Sequence, residues 1–301
     1  MVCSRGILGA CDIRSAHPQS SCATDKSYLV RLVDMKTLVF DGMSIYVCSD
    51  LLSFFVKDIL PKMAKRFVLV TGDSDMCVPR EALASQEFER LVNHPLLLKW
   101  FAQNTKFQNH PKVVQLPIGL DYHTIHHDPR HPWKKPQEGS SPGQQEAILM
   151  SLRRTMRPFF AREMKVYVNF SLSNDRHGQR RDFLRTVPAS LLVKDSQFIR
   201  RTDNWNQILR CAFVASPFGQ GMDCHRTWEA LCLGAIPIVK APHFSAMFSG
   251  LPVLIVNSWS DVTENLLRQT VARFRTTTFS GYNKLELDYW KQEIRIYQNS
   301  E

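Results

Sequence analysis

No stretch of this sequence approaches the roughly 18 to 20 consecutive apolar residues needed to cross a bilayer. Its longest apolar fragments are short, such as Leu51 to Val56 and Phe67 to Val70. The N-terminal residues carry only a brief apolar stretch, cut by Asp12 and Arg14, which is a poor secretory leader; a soluble, cytoplasmic protein is therefore expected. C-x-x-C spacing is missing as well. The eight cysteines (Cys3, Cys11, Cys22, Cys48, Cys77, Cys211, Cys224 and Cys232) are dilute for 301 residues, which argues against zinc ribbons, redox dithiols and a disulfide scaffold, and for reduced, mostly packed thiols. Internal repeats and low-complexity tracts are absent. Acidic residues are in deficit, 28 against 38 lysines and arginines, and the resulting net charge of +10 favours an acidic partner. That partner is not expected to be nucleic acid, because no zinc finger, RNA-recognition pattern or long basic helix accompanies the charge.

What is present is an ordinary globular composition, 44% hydrophobic and 22% charged, with the length of about two domains. Apolar β-type runs at Thr37 to Phe40, Ser44 to Val47, Phe67 to Thr71 and Val113 to Leu116 read as strands, and Arg80 to Phe101 as a helix broken near His94-Pro95. From 126 to 145 the chain turns His-, Pro-, Lys- and Gly-rich and loses its periodicity, as a linker would. Beyond it, a helix at Met150 to Phe160 leads to alternating strands and helices: Lys165 to Phe170, the basic segment Asn174 to Arg185, a helix at Trp205 to Arg210, a strand at Ala212 to Ser216, a helix at Cys224 to Leu233, then strands at Ile236 to Val239 and Val253 to Val256. Asp261 and Glu264 stand in capping-box spacing before another helix. The last helix, Lys284 to Tyr297, aligns Leu287, Trp290, Ile294 and Tyr297 on one face that must pack on something. This alternation predicts two Rossmann-like α/β domains with parallel sheets. The expected boundaries are 1–125, a linker at 126–145, a second domain at 146–280 and a C-terminal helix at 281–301.

The richest segment runs from Phe213 to Lys240. A strand ends at Ser216, Gly219 and Gly221 permit a tight turn, and a helix begins near Asp223, so free N–H groups and a positive helix end converge where an anion such as a diphosphate can bind. Arg226 and Glu229 share a helix face, one suited to a phosphate and the other to the hydroxyls of a ribose. Lys240 leaves the next strand at its C-terminal end and offers a second phosphate cation. G-Q-G followed by Met222-Asp223-Cys224 departs from G-x-G-x-x-G, which disfavours a nicotinamide dehydrogenase.

At this segment the sequence resembles the exostosin family of glycosyltransferases, whose nucleotide-sugar domain carries Ser-Pro-x-Gly-x-Gly-x-Asp-x-x-Arg-x-Trp-Glu-Ala-Leu-x-x-Gly-x-Ile-Pro-Ile-Val. Ser216 to Val239 match that pattern, and the stretch Leu116-Pro-Ile-Gly-Leu-Asp-Tyr-His-Thr124 is also similar. The resemblance implies a two-domain glycosyltransferase fold of type B facing a cleft, a nucleotide-sugar donor, a glycan or other hydroxyl acceptor, glycosidic bond formation with inversion, and no required metal or other cofactor. It implies that Arg226 contacts the donor diphosphate and Glu229 its ribose. Arg176 and Arg180 of the basic segment are further phosphate candidates.

Inversion needs a base for the acceptor hydroxyl. Asp73 and Asp75 follow the strand that starts at Phe67, and Asp121 and His123 follow the strand ending at Leu116; these four are the candidates, in that order. The set His123, His126, His127 and His131 has a metal-like look, but its proline-rich surroundings favour a solvated hinge. A non-enzymatic protein binding nucleic acid or anionic glycan is the rival class, and a metal-dependent hydrolase built on the histidines a lesser one.

Overall fold

The computed structural model of the chain describes residues 1–15, 25–34, 40–107, 110–240 and 244–299. These form a mixed α/β structure in two units. Val2–Ile118 with Gly221–Asp223 and Glu286–Glu301 make the first unit; Met1, Gly119–Gln220 and Cys224–Leu285 make the second.

The first unit is built on four parallel strands in the order β1 (Met43–Cys48), β2 (Phe67–Gly72), β3 (Leu97–Gln103) and β4 (Val113–Leu116). β1 and β2 are buried at every residue, which is why they read as continuous apolar runs and not as alternating ones. Register pairs Ile45 with Leu69 and Leu69 with Trp100, and the Trp100 indole N–H donates to Thr71 Oγ1 at 2.9 Å.

β3 corrects the expected helix over Arg80 to Phe101. The helix is only Ser85–Val92, begun by the Ala84 N–H donating to Glu87 Oε2 at 2.8 Å. Pro95 cannot donate in a helix, and the apolar run after it is buried more favourably between β2 and β4 than on a helix face. Thr37 to Val39 of the first expected strand lie outside the described residues, as does Cys22; the other seven cysteines are free.

The last helix, Leu287–Gln298, belongs to this first unit and lies on β1, β2, β3 and the helix Ser4–Ala10. Its apolar face finds its partner there: Trp290 and Ile294 are buried, and the Tyr297 ring meets Phe101 edge-on at 5.9 Å.

The second unit carries five parallel strands in the order β6 (Leu192–Lys194), β5 (Glu163–Val168), β7 (Cys211–Ala215), β8 (Ile236–Val239) and β9 (Leu254–Ile255). Counted within the unit this is 2-1-3-4-5, so the direction of winding reverses between β5 and β7. At such a switch point the connections leave to opposite faces, and ligands of open α/β sheets bind beside the strands' C-terminal ends. Phe183, Phe213, Ile236, Ile238 and Trp259 form the core, with Phe183 and Trp259 edge-to-face at 5.0 Å.

Three local expectations change here. The helix placed at Met150 to Phe160 is Pro142–Arg154, because Ser141 caps it and Pro142 suits its first turn, while Pro158 prevents its extension. Thr263, through its bond from the Leu266 N–H, caps the helix Glu264–Thr276, and Asp261 instead accepts from the Ser258 N–H at 2.9 Å. Residues 126–145 lie inside the second unit and pack on it: Trp133 O accepts from the Arg201 N–H, Lys135 pairs with Asp203, and Glu138 accepts from Thr202. Proline richness there reflects tight turns held by polar contacts to the helix Arg201–Arg210. Among the described residues no helix is long and apolar enough to cross a membrane.

Trp290→Ala should cost about 3–5 kcal/mol, the usual range for emptying a buried aromatic site. Urea unfolding followed by circular dichroism measures it; a loss below about 1 kcal/mol would mean that the terminal helix contributes little to the sheet it covers.

Candidate functional site

At the switch point, β5 runs into Asn169, Phe170 and Ser171, and β7 into Ser216 to Gln220. Two arginines arrive from the helices that follow these strands. Arg180, on the helix Gln179–Thr186, is buried; its Nε donates to Phe218 O at 3.1 Å and its Nη1 to Ser171 O at 2.7 Å. Arg226, second residue of the helix His225–Cys232, donates from Nε to Asn169 O at 2.7 Å, and its Nη1 is shut off from solvent with no hydrogen-bond partner. Both guanidiniums lie over the Phe170 ring, at 5.7 and 5.5 Å from its centroid. Among the described residues neither forms an ion pair with a carboxylate. Burial, reinforced by the Arg180 cation, pushes the Arg226 guanidinium below its ordinary pKa.

The sequence explains this approach. A Cβ on Gly219 would collide with Arg180 Nη2, so only glycine lets the arginine pass beneath that loop. The two helix starts differ in kind. Asp175 accepts from the Arg180 and Arg181 N–H groups, both at 3.0 Å, and so satisfies the first helix from within the chain. The second begins at Cys224, which makes no side-chain cap bond to the helix amides. Three residues on from Arg226, buried Glu229 accepts the Trp205 indole N–H at 3.0 Å. Its other oxygen has no partner among the described residues.

Not all the expected donor residues join this group. Arg180, Gly219 and Arg226 come together and Glu229 stands on the same helix. Lys240 is instead 3.6 Å from Asp182, and Arg176 is exposed on the turn before its helix. Gly221 belongs to the first unit, where a Cβ on it would lie 3.0 Å from Asn104 Nδ2 and 3.1 Å from Asp75 Oδ1.

A second group in the same unit centres on Asp121. This carboxylate is buried; Oδ1 accepts from the Thr124 N–H at 3.0 Å and lies 3.2 Å from His123 Nδ1, and Oδ2 faces Arg201 Nη2 at 3.2 Å. Arg201 also donates from Nη1 to Asp121 O and to Gln145 Oε1. Burial alone would raise the Asp121 pKa, but the combined pull of His225, Arg201 and His123 holds the carboxyl well below the usual range. His225 shares 2.7 Å with Gly119 O through Nδ1. A carbonyl only accepts, so Nδ1 carries the hydrogen and Nε2 is the nitrogen left for another partner. His225, Arg201 and Gln145 escape sequence reasoning because they come from 104, 80 and 24 residues beyond Asp121; the sole signal was the position of His225 inside the best motif. His126 and His127, from the expected histidine set, are exposed and stand apart.

The other two base candidates lie in the first unit. Asp73 is buried at φ +54° and pairs through Oδ2 with Arg5 Nη1 at 2.6 Å, whereas Asp75 is exposed. Beside Asp73, the Tyr46 hydroxyl is buried without a hydrogen-bond partner.

No protein-family model matches the chain, and no curated protein matches it. Replacing Arg201 by Leu leaves buried Asp121 without its guanidinium partner, which should cost about 3–5 kcal/mol. Chemical unfolding of the Arg201→Leu variant reads this directly, and an unchanged midpoint would show that the ion pair adds nothing to the fold.

Proposed function

We propose that the protein is a glycosyltransferase that takes a sugar from a nucleotide-sugar donor, with the second unit holding the donor in a type B, exostosin-like arrangement. The observation that carries this proposal is the arginine pair at the β5/β7 switch point: two guanidiniums that share Phe170 and, among the described residues, have carbonyls but no ion-paired carboxylate for partners. Such a pair is electrostatically incomplete, and a diphosphate completes it.

In that arrangement Arg226 and Arg180 bind the donor diphosphate together with the uncapped start of the helix His225–Cys232, and Glu229 accepts hydroxyl protons from the ribose with the oxygen that Trp205 leaves open. The same cations stabilise the negative charge that grows on the diphosphate as the sugar–oxygen bond breaks. The acceptor hydroxyl gives its proton to a carboxylate as it attacks. Of the three candidate carboxylates Asp75 is the exposed one, and it is the base assigned here.

Ligand-observed NMR against a panel of uridine, guanosine and cytidine diphosphate sugars tests the donor site. Arg226→Ala should lose about 1.5–3 kcal/mol of donor affinity, the worth of a charge-assisted hydrogen bond, with its circular dichroism unchanged. Asp75→Asn should keep donor affinity while sugar transfer falls about 10²- to 10⁴-fold. Failure of the whole panel to bind wild type, or equal binding by Arg226→Ala, overturns the assignment.

A further inference from the structure

Asp121, His123 and His225 each offer one ligand atom, and these atoms lie within 4.8 Å of one another; among the described residues they are the one such group of three. We propose that they form a binding site for a divalent transition-metal ion of the zinc type. The donor set fits such an ion: two imidazoles and one carboxylate suit zinc and its neighbours, whereas calcium and magnesium prefer oxygen alone. Ligands about 2.0–2.2 Å from one ion stand about 3.3 Å apart when tetrahedral, a spacing the Asp121–His123 pair already shows at 3.2 Å. Closing the group from within 4.8 Å to that spacing asks for a change of at most about 1.5 Å.

The surroundings support the ligands as an outer shell does. Gly119 O takes the Nδ1 hydrogen of His225, which fixes the ring and leaves Nε2 as the coordinating atom. Arg201 and the Thr124 N–H orient the Asp121 carboxylate, and Gln145 in turn holds Arg201. Asp121 is buried while both histidines are partly exposed, so an ion can enter from the histidine side. Three protein ligands leave at least one coordination position for water or an anion oxygen, the mark of a reactive rather than a purely structural centre. The backbone supplies a further link: His225 directly precedes Arg226, so one helix start serves both the metal group and the arginine pair. A metal here departs from the metal-free chemistry that the sequence led us to expect. The site does not rest on the glycosyltransferase proposal, since its ligands define it without any donor.

The test uses the full chain, treated with chelator and desalted, and titrated calorimetrically with zinc chloride; cobalt(II) absorption gives a second readout that reports nitrogen ligation. One ion per chain is expected. His123→Ala and His225→Ala should each weaken binding about 100-fold or more, at or beyond the ~10–100-fold typical of losing an outer-shell partner. His126→Ala and His127→Ala, which alter exposed histidines of the neighbouring segment, should bind like wild type. If an alanine variant fails to fold, His123→Gln and His225→Gln keep a polar side chain and repeat the measurement. Absence of zinc and cobalt binding by wild type, or equal binding by the His123 and His225 variants, overturns the proposal. Nucleotide-sugar binding measured in excess chelator reports separately on the donor site, so the two proposals fail independently.

Discussion

The second unit depends on one buried cation. Arg201 reaches from the start of its helix to the Asp121 carbonyl and carboxylate and to Gln145, and its guanidinium lies 5.3 Å from the Trp133 ring. Three positions between 121 and 145 (Asp121, Trp133 and Gln145) are thereby fixed to a helix more than 50 residues further along the chain. Removing water from both members of an ion pair is costly, and the pair repays it only when the remaining donors and acceptors are satisfied. Gln145 supplies that satisfaction on one side and the Thr124 N–H on the other. Asp121 is consequently held as a carboxylate, and the histidines beside it inherit a rigid, negatively charged neighbour.

How far the sequence reveals such an arrangement depends on the range of the interactions that make it. Parallel sheets were legible, because strands buried on both faces must be apolar throughout and because helices alternate with them; β1, β2, β4, β7 and β8 lie close to where their apolar runs place them. β3 was not, since Leu97 to Gln103 carries apolar residues without a period that separates a buried strand from a buried helix, and only its pairing with β2 and β4 decides. The turn-rich segment 126–145 looked like a linker for a related reason. Its composition reports local backbone preference, whereas its docking comes from Lys135, Glu138 and Gln145 finding partners elsewhere.

The same division holds for the candidate sites. Arg226, Glu229 and Gly219 stand in one continuous motif and could be named together, and Arg180 could be proposed because it starts a helix after a strand of the same sheet. Asp121 and His123 were visible as neighbours, but the role of a carboxylate depends on what compensates it. Asp73 illustrates this: its place after β2 suggests a base, yet Arg5, 68 residues earlier, occupies its oxygen. Electrostatic partners are chosen by tertiary structure, so a sequence yields candidate carboxylates and the fold decides what each one faces.

The two helix starts of the second unit show where the fold is complete and where it is not. Ahead of the helix Gln179–Thr186, Asp175 lies in the chain as a built-in anion and takes the Arg180 and Arg181 amides. Ahead of the helix His225–Cys232 the cap residue Cys224 makes no side-chain cap bond, one arginine nitrogen is buried with no hydrogen-bond partner among the described residues, and a second arginine shares its aromatic neighbour. An orphaned buried donor costs on the order of 1–3 kcal/mol, and like charges in one place add to that cost. A chain that satisfies its polar groups carefully at one helix and leaves them open at the next concentrates its unfavourable terms where an outside anion removes them. That asymmetry, at the strand ends where the winding reverses, is the feature on which the proposed diphosphate site rests.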